Sequence, residues 1–102
     1  METIKYKDPI SEDWFSGYVY LIKCNSYYKI GYSARDPKYR MSDMQIGNPH
    51  ELKLVKTYFC NNAKTQELLA HTQFADKNIR GEWFKLSKDD ILLLDEIVST
   101  YE

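Results

Sequence analysis

Residues 17–33, GYVYLIKCNSYYKIGYS, carry five tyrosines and set Lys29 between Tyr28 and Ile30. Two extended runs, 17–24 and 27–32, flank an Asn25-Ser26 pair suited to a tight turn, which predicts a hairpin. With the turn centred on that pair, Tyr20 faces Gly31 and Ile22 faces Lys29. Tyr18, Tyr20, Ile22, Lys29 and Gly31 then share one face; Val19, Leu21, Tyr28, Ile30 and Tyr32 share the other, whose aliphatics make it the core side. Gly31 is expected to leave a gap opposite Tyr20. Lys29 lies diagonally from that tyrosine at about 7–8 Å between α-carbons, within reach of a long side chain. A phenol ordinarily titrates near ~10, too high for a base at neutral pH, and a neighbouring cation favours its phenolate. Such a tyrosine can accept a proton from water attacking a phosphate. The plain alternative is that aromatics simply favour strands.

Several further elements must hold that hairpin in place. Asp36-Pro37 reads as an N-cap followed by proline at the first helical position, opening a helix to about Gln45 that Gly47 ends. Asn48-Pro49 turns the chain into a third strand, ELKLVKTYFC. Asn61 or Asn62 caps a second helix, roughly AKTQELLAHTQFA, and a loop around Arg80-Gly81 leads to a short extended EWFKL. SKDDILLLDEIVSTY closes as a helix capped by Ser87, with two aspartates in its first turns where the helix dipole favours them. The order ββαβα plus a terminal helix predicts an α/β (α+β) domain, with a small three-stranded, mostly antiparallel sheet flanked by helices. Residues 1–16 are expected to form an N-terminal extension and residues 17–102 a single domain, since 102 residues support one core.

Composition narrows the classes. At 43% hydrophobic and 28% charged, the chain is too apolar to stay disordered. No apolar run approaches the roughly 18 residues of a membrane span, and METIKYKDPISED lacks the apolar stretch of a signal peptide. A cytoplasmic location is expected, that of a host cell if the chain is phage- or virus-encoded, with Cys24 and Cys60 reduced. The net charge of −1 conceals an asymmetry. Residues 23–56 hold seven Lys/Arg against three acids, while residues 82–102 hold two lysines against six acids. A cationic face is thus available to a polyanion.

The pair YVYLI and YKIG, with an arginine eleven residues beyond Lys29, resembles the GIY-YIG endonuclease superfamily. The likeness is closest to its phage, viral and microbial branch, in which the second motif reads KIG. It covers about residues 17–86 and includes GNP, ELKLV, ELLAHTQF and GEWF. It implies Tyr20 as the group activating the attacking water, Arg40 as the essential arginine, Glu67 as the ligand of a divalent metal, and His71 as a histidine frequent in the branch. Tyr18 stands where the glycine of GIY usually lies. Lys29 takes the place of the second motif's tyrosine, as in some active restriction-type members, and Gly31 matches the final glycine.

The implied chemistry is coherent. Phosphodiester cleavage needs a positioned water, charge stabilisation at the phosphoryl oxygens and help for the leaving oxygen. Arg40 can fork onto phosphate oxygens, and Glu67 with His71, at i and i+4, share a helix face. The expected function is a Mg²⁺- or Mn²⁺-dependent endonuclease acting on nucleic acid, DNA above all, with Tyr18, Gly31, Arg35 and Lys38 contacting substrate. Its specificity is expected to be low, or to come from a homo-oligomer or a targeting protein partner. The competing expectation is a catalytically silent nucleic-acid-binding module of the same fold; a protein-interaction domain working through the acidic terminal helix is the third. Taken singly, Glu67 is an ordinary solvated helix acid, Arg40 a partner for Asp36 or Asp43, and Trp83 and Phe84 core residues. A zinc site joining His50 and His71 has too few ligands in support.

Overall fold

The computed structural model describes residues 16–100. The expected extension, residues 1–16, lies outside the described residues apart from Ser16. Strands β1 (Gly17–Cys24) and β2 (Tyr27–Ser33) form the hairpin, and Asn25 at its turn takes the left-handed conformation that asparagine tolerates. The register is the expected one, Tyr20 opposite Gly31 and Ile22 opposite Lys29. Helix α1 (Pro37–Ile46) starts on the Asp36 side chain, which accepts from the Lys38 amide at 3.0 Å. Gly47 ends it at φ −95°, a conformation open to any residue. Strand β3 (Leu52–Cys60) follows, then α2 (Ala63–Gln73), capped by the Asn62 side chain. A single 3-10 turn, Ala75–Lys77, leads to the short strands β4 (Asn78–Arg80) and β5 (Trp83–Phe84), and α3 (Lys88–Thr100) closes the chain. Ser87 and Asp90 cap α3 reciprocally, each side chain accepting the other's amide, at 2.8 and 3.1 Å.

The fold is α+β, and the sheet has five strands where three are expected, in the order β3-β1-β2-β5-β4 with every pairing antiparallel. The two additions carry three and two residues, too few to show a periodicity in sequence. Helices α1 and α2 cover opposite faces of the hairpin. Val19, Leu21 and Ile30 pack with Ala70 and Phe74 below α2 and with Leu94 and Val98 of α3, forming the larger core. Lys56 gives Asp95 two hydrogen bonds, at 2.7 and 2.9 Å, and Tyr58 donates to the same carboxylate, tying α3 to β3.

The face carrying Tyr20 is also covered, which corrects the expectation of an open surface there. Tyr20, Ile22 and Leu52 are buried against Met41 and Met44 of α1 and against Trp83. Both sides of the hairpin therefore pack, and the sheet is the central layer of three.

Candidate active site

Tyr20 is 1% exposed, although it carries a hydroxyl. Its ring lies across the backbone of Gly31, the residue paired with it in the neighbouring strand. A Cβ at Gly31 would meet Tyr20 Cζ at 2.5 Å and Cε1 at 2.9 Å, and Oη closer still. The expected gap opposite Tyr20 is thus filled by its own phenol, and Gly31 is the seat that the ring requires. The hydroxyl emerges in a cleft of about 330 Å³ lined by Tyr20, Tyr32, Ser33, Ala34, Arg40 and Glu82.

The cation that meets Tyr20 is Arg40, from the middle of α1. Its guanidinium donates to the phenol oxygen, and this contact, with the nearby Glu82 and Asp43 charges, holds Arg40 still more firmly protonated than usual. Lys29 is engaged elsewhere: its ammonium forms an ion pair with Glu82 at 3.0 Å. The expected pairing of Tyr20 with Lys29 is replaced by Tyr20–Arg40, with Lys29 one residue further removed through Glu82.

Glu82, to which the sequence reading gave no role, links these groups. Its carbonyl accepts from the Ile30 amide at 3.1 Å, which fixes it beside β2 at the end of β5. Its carboxyl lies within hydrogen-bonding range of Glu67 from α2, on the opposite side of the sheet from α1. Burial, and then the Glu82 charge, push the Glu67 carboxyl up to about 7. Burial and the adjoining acid both disfavour the ionised form of Glu67. His71 stands one turn beyond Glu67, with Nε2 4.0 Å from Glu67 Oε2. That nitrogen is also 2.8 Å from the Ile30 carbonyl oxygen, to which it donates, and the ring packs edge-on against Phe84. Tyr20 and Arg40 from one face thus connect through Glu82 to Lys29, Glu67 and His71.

The remaining candidates sit around this network. Arg35 and Lys38 both lie over the exposed Tyr39 ring, at 5.0 and 5.3 Å from its centroid, at the start of α1. Tyr18 packs edge-on against Phe59 of β3, with ring centroids 5.5 Å apart. His50 is at the far end of the hairpin in a different cavity, away from His71.

The acid pair suits a hard divalent cation. Glu67 Oε2 is buried without a hydrogen-bond partner, and a second carboxyl adjoins it. Among the described residues no three His, Cys, Asp or Glu converge as a ready metal cage. Mg²⁺ needs only one or two protein carboxylates, because it keeps several of its waters.

The model of the T5orf172 domain matches residues 17–99, a domain found in phage and bacterial nuclease-like proteins. The match is compatible with a GIY-YIG-like nuclease or a nucleic-acid-binding role. No curated protein and no solved structure matches the chain.

Proposed function

The chain belongs to the T5orf172 domain family, and from that premise we propose that it is a divalent-metal-dependent endonuclease of GIY-YIG type, hydrolysing phosphodiester bonds in nucleic acid, DNA first. The observation that carries this reading is the contact of Tyr20 with Arg40 above Gly31, in a cleft whose Glu82 reaches Glu67. A buried phenol gains a hydrogen bond from such an arginine in any protein; the cleft adds room for water and a phosphate beside the pair, which hydrolysis requires.

Arg40 grips two phosphoryl oxygens with its planar fork and neutralises charge as the pentavalent arrangement forms. Tyr20 Oη, immobilised by its packed ring and with its own proton passed to solvent, takes a proton from the water whose oxygen bonds to phosphorus as the P–O bond to the leaving oxygen breaks. The position of Oη is set by the backbone beneath it, so little reorganisation accompanies the transfer. Lys29, paired with Glu82, places a second positive charge behind the acid pair. Glu67, with Glu82 beside it, would hold the Mg²⁺ or Mn²⁺, giving up the proton that burial favours on Glu67 in the ion's absence. When bound, the ion supplies charge neutralisation and aid to the leaving oxygen. His71, braced on the Ile30 carbonyl, fixes the side of α2 from which Glu67 projects.

The test is nicking of plasmid and single-stranded DNA by the full chain, with and without Mg²⁺, beside Glu67→Ala. Metal-dependent nicking that Glu67→Ala abolishes is the expected result. Binding of nucleic acid with no cleavage under any divalent ion would leave a silent module in place of an enzyme.

A further inference from the structure

A second cavity on the sheet, about 370 Å³, lies at the hairpin's turn end, away from the Tyr20 cleft. Tyr27 and Trp83 give it aromatic walls, and Asn25, Asn48, His50 and Arg80 supply polar groups around them. We infer that this cavity seats one unstacked nucleobase, and hence that the substrate is single-stranded or locally opened nucleic acid. The inference rests on the nuclease reading and deepens it by naming the substrate class.

Three features support it. The volume falls at the small end of the ~300–1,000 Å³ typical of ligand sites, which suits a planar base and excludes a duplex. The lining pairs aromatic faces, on which any base can stack, with amide, imidazole and guanidinium groups able to meet a base edge or its phosphate. The loop is also built in advance. Gln45 Nε2 donates to the Asn48 and His50 carbonyls at 3.3 and 2.9 Å, and Gln45 Oε1 accepts from the Leu52 amide at 2.7 Å. The Asn48 side chain accepts the His50 amide at 2.9 Å. Across the cavity, Asn78 holds the Trp83 carbonyl at 3.1 Å.

The cavity and the cleft are separate, but one wall of each is formed by adjacent residues, Trp83 and Glu82. Trp83 follows Glu82 in sequence and pairs with Lys29, the residue bound to Glu82. From Tyr27 to Gly31 the chain advances about 13 Å along β2 at ~3.3 Å per residue. A stacked strand advances ~3.4 Å per nucleotide, so the bound base belongs within about four nucleotides of the cleaved phosphate. In an intact duplex that base is stacked and paired, and cannot enter.

The test uses the full chain carrying Trp14→Phe, which leaves Trp83 as its single tryptophan, in EDTA so that no strand is cut. A short oligothymidylate should quench Trp83 fluorescence. Moving one abasic nucleotide along the strand should weaken binding at a single position by roughly 5- to 150-fold, the worth of one base stacked on an aromatic. Tyr27→Ala, an exposed position, should shrink that dependence, weakening the intact strand more than the abasic one. Equal affinity for every abasic strand, or tighter binding of duplex with Trp83 unquenched, overturns the inference even if the protein cleaves. Failure to bind any nucleic acid overturns the nuclease reading along with it.

Discussion

Gly31→Ala tests whether the Tyr20 ring is held where the chemistry needs it. A methyl group at that position would sit 2.5 Å from Tyr20 Cζ and 2.9 Å from Cε1, against about 3.5–4.0 Å for relaxed carbon contact, so the ring must shift by about 1 Å or more. Ile22, Leu52, Met41 and Met44 pack against it on the core side, so it can move only toward the cleft, away from its seat. Overpacking of this kind costs about 1–3 kcal/mol, or ~4–8 °C in Tm per kcal/mol for a domain of this size. Without the clash the sign reverses, since alanine in a strand is better than glycine by ~0.5–1 kcal/mol. The shift also carries Oη away from its attack position, for which about 100-fold in cleavage is a fair scale. The assay pairs thermal unfolding with single-turnover nicking, in the parent and in a Tyr20→Ala background. Without the ring, the added methyl should cost little, giving a coupling of ~1–3 kcal/mol between the two sites. A Gly31→Ala protein as stable as the parent, or more so, would refute the seat.

Other outcomes follow from the same contacts. Tyr20→Phe keeps the packed ring, so Tm should stay close to the parent's while cleavage falls by ~10²–10⁴-fold; unchanged nicking would return the tyrosine to packing alone. Glu67 holds its proton to about 7 in the folded chain against 4.5 ordinarily, so in EDTA the parent should lose stability as pH rises from 4.5 to 7, the folded state being the one that binds more protons. Glu67→Gln should remove that slope and be more stable above pH 7 by ~1–2 kcal/mol, after discounting for solvent reaching the cleft; identical pH profiles in urea melts would refute the acid pair. Arg40→Ala should weaken DNA binding by about 10- to 150-fold, the worth of a charged hydrogen bond, and reduce the salt slope of log K by ~0.7–0.9, read by anisotropy across a salt series.

The parts of this fold legible in the sequence are those fixed by neighbours along the chain. The hairpin register followed from a two-residue turn, since loop length sets which residues oppose. Asp36, the Asn61-Asn62 pair and Ser87 announced three helix starts because capping is a local transaction between a side chain and an amide two or three residues on. What stayed hidden depended on pairing across long separations. Arg40 as the partner of Tyr20 requires knowing which face α1 crosses, and a cation already nearby in the hairpin, Lys29, offered a plausible substitute. Met41 and Met44, three apart on α1, carried the hint that the Tyr20 face would be covered. Glu82 was visible within GEWF, yet its role comes only from β5 joining β2. That strand is two residues long, and its shortness has a consequence for the site. It pairs with β2 at Tyr28 and Lys29 and ends near Ile30, so from Gly31 onward that edge of β2 has no strand beside it among the described residues. There Arg40 from one face and Glu67 from the other approach a common carboxylate, that of Glu82. A longer β5 would have been easier to read in the sequence, and it would have closed the gap through which the two halves of the site meet.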